Sequence, residues 1–273
     1  MNPTASSPAA IHRETGAAPQ LVPHSPSPAG APRLAVGSYR ARLATGESDL
    51  EAAQRLRFAV FNVEMNEGLA ESWHTNRDAD RFDSSCDHLL VEHVATGEIV
   101  GTYRLQTGVM AARAHGFYSA QEFEFAPYEI VRDELVELGR ACVHQDHRKL
   151  NVLNLLWRGI ASYARERNAR YLIGCSSLPS QDPALGHAMH RMLAAGHLVE
   201  EPFRTIPLPM YALPDAEPLA ECPEPPRLLR TYLTVGAKIC GAPAIDREFG
   251  TIDFLTLIDL HTLPTTVSSR YLA

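Results

Sequence analysis

An α/β fold with a sheet that is at least partly parallel is what this sequence predicts, on three observations. Residues 136–176 read as a strand, a basic turn, a helix and a second strand, "RYLIGC". A strand–helix–strand unit of this kind joins parallel strands. Residues 88–105, "HLLVEHVATGEIVGTYRL", are two strand-like runs around Ala95-Thr96-Gly97-Glu98, which is hairpin-turn chemistry. Residues 48–65 carry Ala52, Leu56, Ala59, Val60 and Val63 at helical spacing.

Residues 1–36 hold seven of the 20 prolines, with Ser, Ala and Gly between them. Such a segment buries too little apolar surface to offset its ordering entropy, so a disordered tail is expected. One domain is expected over 37–273, with a C-terminal extension from about residue 223. Ser48 and Glu51 form a Ser-x-x-Glu capping box for the first helix. Residues 66–86 are polar, carry Trp73, Asp78, Asp80 and Asp83, and read as a loop. Residues 119–134 are acidic and irregular, a short helix or a loop.

Val136 and Leu138 alternate with Glu137 and Gly139 as a strand does, and then Arg140 and Cys142 share the parity of Val136 and Leu138. A glycine at a change of phase predicts a bulge. Leu153, Leu156, Trp157, Ile160, Ala161 and Ala164 form a helical stripe, with Arg158, Ser162 and Arg165 off it. Residues 184–195 carry a second stripe, "RLLRTYLTVGAKI" reads as a helix and "FLTLIDL" as a strand.

The 45% hydrophobic content of the 273 residues is ample for a core. No run approaches the roughly 18 apolar residues of a membrane span. A secretory start is not evident, and five scattered cysteines without a CxxC favour reduced thiols in a cytoplasm. Net charge is -7, yet residues 139–170 hold Arg140, Arg148, Lys149, Arg158, Arg165, Arg167 and Arg170 against Asp146 and Glu166. A local reversal of sign points to an anionic partner or to a solvated basic face.

Two constellations can carry chemistry. The turn "HQDHRKLNVLN" precedes a helix N-terminus, where free N–H groups and the helix dipole hold anions such as phosphate. The charges Arg57, Asp80, Asp83, Arg104, Glu137 and Arg140 form the second set, read either as structural ion pairs or as a site. His187 and His190 are three apart with no third ligand in view, so no metal site is expected. P-loop, dinucleotide and GxSxG signatures are absent, and an acidic chain argues against nucleic acid.

"LRFAVFNVE", "DRFDSSCDHLLV", "GTYRL" and "VELGRACVHQDHR", with the helix after them, resemble bacterial acyltransferases of the GNAT superfamily. The tail "PPRLLRTYLTVGAKICGAPAIDREFGTIDFLTLIDL" narrows the resemblance to ornithine N-acyltransferases that use acyl carrier protein and start ornithine-lipid synthesis. It runs from roughly Tyr39 to Tyr271. The acyl-homoserine-lactone synthases are similar in the first half. The resemblance implies a three-layer α/β/α fold of GNAT type with a mixed, partly splayed central sheet.

It also implies roles. Glu137, Arg140 and Arg104 would be catalytic, and Arg57, Phe61, Asp80 and Asp83 would bind the acceptor. Cys142, Val143, Arg148, Lys149, Leu150, Asn151 and Val152 would hold the phosphopantetheine arm. The loop Arg148–Val152 lacks the glycines that acetyltransferases place there, which favours an acyl donor carried on acyl carrier protein over acetyl-coenzyme A. Arg104 or Arg140 would hold the acceptor carboxylate and Asp80 or Asp83 its side-chain ammonium. No bound cofactor is implied. The partners would be acyl carrier protein and an amino acid, with peripheral contact at the inner membrane. Transfer to another amino acid, lactone synthesis from S-adenosylmethionine, and a non-catalytic carrier-protein or acyl-binding module are the alternatives.

Overall fold

The computed structural model describes residues 34–271. Most of the Pro-rich segment, residues 1–33, lies outside the described residues. The last three residues assigned to that tail, Leu34–Val36, are instead strand β1, paired to β2 (Tyr39–Leu43) through a turn at Gly37.

Helix α1 (Glu47–Phe58) follows and continues as a π-helical turn through Glu64. Gly46 is its N-cap, without a side-chain cap, so the expected capping box is not made. The helix starts ahead of Ser48, and Asp49 accepts from Thr45 N–H and pairs with Arg42 instead. A short helix, α2 (Ser72–Thr75), lies in the segment read as a loop. The hairpin is present: β3 (Asp87–His93) and β4 (Glu98–Thr107) join through Gly97, whose φ is 73°. Then come α3 (Gly108–Arg113), two 3₁₀ turns at 119–121 and 126–134, and β5 (Leu135–Val143). Helix α4 (Leu150–Glu166) leads to β6 (Tyr171–Leu178) and α5 (Pro183–His197). The extension supplies α6 (Arg227–Val235), β7 (Lys238–Ile239), β8 (Ala244–Asp246), β9 (Thr251–Asp259) and α7 (Thr265–Tyr271).

The sheet order is β1-β2-β3-β4-β5-β6-β9-β7, with β8 also on β9. Among these named strands, β5 and β6 form the parallel pair and the rest are antiparallel. Helix α4 covers one face: Leu155, Leu156 and Ile160 meet Leu89, Leu105 and Val136, with Tyr232 of α6 alongside. Each such buried side chain contributes about 1.5–3 kcal/mol. Helix α1 covers the other face through Leu56 and Val60, and the aromatic cluster of Phe117, Phe123 and Tyr128 extends it. The three-layer arrangement follows from these two faces.

Two irregularities position the site. Opposite β4, Arg104 pairs with Gly139 and Thr102 with Cys142, so Arg140 and Ala141 together oppose Tyr103. This is the bulge, and its left-handed residue is Arg140, φ 49°, one position past the glycine. Before it, Val136 and Leu138 face α4; after it, Ala141 and Val143 do, and Cys142 turns to α1. The bulge therefore leaves Glu137 and Arg140 on the α1 face together. On the other side, β5 pairs with β6 over Leu135, Val136 and Glu137, and the strands part beyond. A Cβ at Gly174 would lie 2.2 Å from the Leu138 carbonyl oxygen, so glycine permits the close approach from which the strands diverge.

Candidate active site

Three guanidiniums and three carboxylates form a lattice on the α1 face. Arg57, fully buried, reaches Asp78 Oδ1 from Nε at 2.9 Å and Asp83 Oδ1 from Nη1 at 3.1 Å. Arg104 Nη1 donates to both oxygens of Asp80, at 2.6 and 2.7 Å, and to Asp83 at 3.1 Å. Arg140 joins Asp78 through Nε at 3.2 Å and Asp80 through Nη2 at 2.9 Å. Gln54 and His88 complete the shell of Asp83. Burial alone would raise Asp80 and Asp83, but the adjacent arginines outweigh it and hold both carboxyls below their ordinary range. Burial lowers His88 to about 4.

The lattice brings together Arg57, Asp80, Asp83, Arg104 and Arg140 from the sequence reading and adds Asp78. Both carboxylates proposed for an acceptor ammonium are already engaged by arginine. Phe61 lies at the edge, half-buried in the π-helical turn, packed with Leu56, Val60 and Cys142. Arg140 spans the rings of Tyr118 and Phe249, at 5.1 and 4.3 Å. Its Nη1 has no hydrogen bond among the described residues.

Glu137 is buried beside the lattice. Its Oε2 accepts from Tyr118 N–H at 2.7 Å and its Oε1 from Ser119 N–H at 2.8 Å. Burial pushes its carboxyl upward, against these hydrogen bonds and the charge of Arg104, which favour the anion. This cradle was not legible, because residues 118–119 carry no motif.

The donor loop differs from expectation in three respects. Cys142 faces the core, where burial pushes its thiol up, so its side chain does not line a cleft. Arg148 pairs with Glu64 at 2.6 Å and donates to the Val143 carbonyl. Val152 N–H bonds the Lys149 carbonyl at 3.1 Å, which leaves Leu150 and Asn151 as the first-turn N–H groups of α4 without a hydrogen-bond partner among the described residues. Lys149 caps α4 from an extended backbone and is exposed. The basic window is also less cationic than its count. Arg140 and Arg148 are paired as above, Arg167 meets Asp87, and Arg170 meets Asp259.

A second acidic group lies on the same face. Glu122, Cys175 and Asp253 place their ligand atoms within 4.8 Å of one another. Burial, then Asp253 and Asp246, raise Glu122 well above its ordinary value. Burial and Asp246 raise Asp253 to about 6, against the hydroxyls of Ser177 and Thr251. One sign of this group is present in the sequence: Asp253 is an acid between Ile252 and Phe254, beside the apolar run of β9. All five cysteines are free thiols.

Residues 56–158 match the acetyltransferase (GNAT) domain family. With a bulged β5 parting from its parallel neighbour beside buried Glu137 and Arg140, the molecule is an acyltransferase of GNAT type. The L-ornithine N(alpha)-acyltransferase of Brucella abortus (strain 2308) is 35% identical over 261 residues, covering 87% of this chain and 89% of that protein. The protein of the same name from Agrobacterium fabrum (strain C58) is 34% identical over 257 residues, with coverage of 87% and 85%. The chain belongs to the L-ornithine N(alpha)-acyltransferase family. In fold it is similar to FeeM, an N-acyl amino acid synthase from uncultured soil microbes, at a TM-score of 0.51 and 14% identity, covering 86% of this chain and 95% of that one.

Proposed function

We propose that the protein transfers a fatty acyl group, 3-hydroxylated in the narrow form of the reading, from acyl carrier protein to the α-amine of L-ornithine. The observation that carries the reading is the parting of β5 from β6 next to Glu137 and Arg140. Beyond Glu137 the edge of β5 is open to β6, so a thioester arm lying in the gap finds main-chain groups for its carbonyl and amides. Ornithine as acceptor is supported by the relatives that match along most of the chain, which are L-ornithine N(alpha)-acyltransferases.

In this reaction the neutral α-amine attacks the thioester carbonyl carbon. The C–N bond forms, the C–S bond breaks, the amine gives up one proton, and the phosphopantetheine sulfur leaves as a thiol. Glu137 accepts that proton: burial raises its affinity for it, and each carboxylate oxygen keeps a lone pair after its backbone hydrogen bond. Arg140 Nη1 is the donor for the acceptor carboxylate. Arg57, Asp78, Asp80, Asp83 and Arg104 hold Arg140 and the α1 face in place. Phosphate of the arm binds at Lys149, Arg148 and the N–H groups of Leu150 and Asn151, with Arg148 exchanging Glu64 for it. Lys149 and Arg158, which make no ion pair among the described residues, face the acidic carrier protein.

Among the described residues no helix is long and apolar enough to cross a membrane. The product is amphipathic, and Val63, Met65 and Trp73 are 59%, 46% and 55% exposed beyond α1. Peripheral contact of a cytoplasmic enzyme with the inner membrane would run through that segment.

The test is to incubate the full chain with 3-hydroxyacyl carrier protein and L-ornithine, follow free thiol, and read the product by mass. N-acyl ornithine is expected. Thiol release with acetyl-coenzyme A but not with the carrier protein would overturn the donor. Glu137→Gln is expected to lower kcat by 100-fold or more, on the order of general-base loss, with donor binding retained. An unchanged kcat would remove Glu137 from the base role.

A further inference from the structure

The cluster of Glu122, Cys175 and Asp253 is not used by the chemistry above. Glu122 is 2% exposed and Asp253 4%. No N–H or O–H group donates to the Glu122 carboxylate among the described residues; its polar neighbour is the Cys175 thiol, 3.8 Å from Oε2. Asp253 accepts from the Thr251 hydroxyl at 3.0 Å, is also met by the Ser177 hydroxyl, and has no ion pair among the described residues. Arg140 is the nearby cation, and its ion pairs go to Asp78 and Asp80. Two buried carboxylates without a cation are unfavourable unless they are protonated or a cation arrives.

Their position is set by the sheet. Ile173 of β6 opposes Glu137, so Cys175, two residues on, lies on the same face. Cys175 opposes Leu255 of β9, which puts Asp253 on that face too, directly across from exposed Ser177. Ser119 links the cluster to the reaction centre. Its N–H holds Glu137 at 2.8 Å, and its hydroxyl oxygen accepts from Cys175 at 3.4 Å. The cluster thus begins two contacts from the proposed base and opens toward the surface at Ser177.

We propose that Glu122 and Asp253 form a socket for the side-chain ammonium of the acceptor, so that the enzyme selects a diamino acid over a neutral one. The proposal rests on amino-acid acylation as read above and adds the residues that choose the amino acid. An ammonium group has three donors and no acceptor, which suits two carboxylates and the Ser119 hydroxyl. Three methylenes separate the α-carbon of ornithine from that ammonium, so the α-amine stays near Glu137 while the far end enters the socket. The socket depends on β9, which belongs to the extension past residue 223. Asp80 and Asp83 cannot serve, because Arg57 and Arg104 already hold them. A divalent metal is the competing occupant, but the Cys175 thiol would have to lose the proton it donates to Ser119.

The experiment compares ornithine with 2-aminopentanoic acid, which keeps the α-amine and carboxylate and lacks the second amine. Wild type, Glu122→Gln and Asp253→Asn are each titrated with both compounds by calorimetry, and acylation of both is measured with one donor. Wild type is expected to favour ornithine by on the order of 100-fold or more in kcat/KM. In each variant that ratio is expected to fall toward one, and the difference in binding to vanish. A ratio unchanged in both variants, or wild type binding the two compounds equally, would overturn the socket. If wild type acylates neither compound, the function reading fails while calorimetry still decides the socket. Stoichiometric zinc binding that Glu122→Gln abolishes, with ornithine binding intact, would also overturn it. Thermal melting confirms that each variant is folded.

Discussion

The arginine–aspartate lattice and the Glu122–Asp253 cluster occupy one face of one sheet and are both buried, yet they are balanced differently. In the lattice three guanidiniums meet three carboxylates, and Asp80 and Asp83 are held as anions. In the cluster two carboxylates face a thiol, and both are pushed toward the protonated form. Buried charge that is balanced inside the chain builds the wall of a site. Buried charge left over is a place for something from outside. The difference also separates residues whose loss breaks the fold from residues whose loss changes a ligand.

The largest expected effect follows from the balanced side. Arg57→Met removes the cation shared by Asp78 and Asp83 and leaves both buried without it. A loss of about 3–5 kcal/mol in urea unfolding is expected. Glu122→Gln should show no such loss, and equal destabilisation of the two variants would mean that the two clusters do not differ in how their charge is balanced.

The two regions should also respond to pH with opposite sign. Asp80 and Asp83 have depressed folded values, so their contribution is present above the ordinary carboxylate range and lost as pH falls through the folded values. Glu122 and Asp253 are raised, so theirs is present below the ordinary carboxylate range and lost as pH rises through the folded values, about 6 for Asp253. Ligand-free wild type should therefore melt progressively below Glu122→Gln as pH goes from 4 to 8, with no gap at pH 4. A gap that opens on acidification instead would contradict the assignment. Glu67, Asp246, Glu137 and Arg140 also bear on this group, and the comparison with the single variant cancels their common effect.

The smallest effect on stability is expected at the donor loop. The Arg148–Glu64 pair is on the surface, where such pairs contribute about 0–1 kcal/mol. Arg148→Ala should leave the melting point nearly unchanged and raise the KM for the acyl carrier protein donor several-fold. An unchanged donor KM would take Arg148 out of the phosphate site.

What the sequence made legible was local. The hairpin showed through its turn residues, the β5–α4–β6 unit through its change of period, and the bulge through a parity shift at Gly139. The left-handed residue is nevertheless Arg140, held there by Asp78 and Asp80, which are distant in sequence. The Ser48–Glu51 box is not used because the helix starts two residues earlier, with Gly46 as N-cap and Asp49 accepting from Thr45 N–H. Residues 66–86 read as a solvated loop, although Asp78 and Asp83 are among the most buried polar residues, since their partners Arg57 and Arg104 lie in other elements. The positive window shows in the sequence, but its pairing with Glu64, Asp87 and Asp259 depends on contacts no local pattern carries. The acidic cluster is assembled from three separate segments, each ordinary alone.

The most direct test of the leftover-charge account is proton release on acceptor binding, read by calorimetry in buffers of different ionisation enthalpy near pH 6. An ammonium entering the socket favours the carboxylates, so ornithine should release more protons than 2-aminopentanoic acid, which shares its α-amine. The excess should disappear in Glu122→Gln. Equal proton release for the two compounds in wild type would contradict the account.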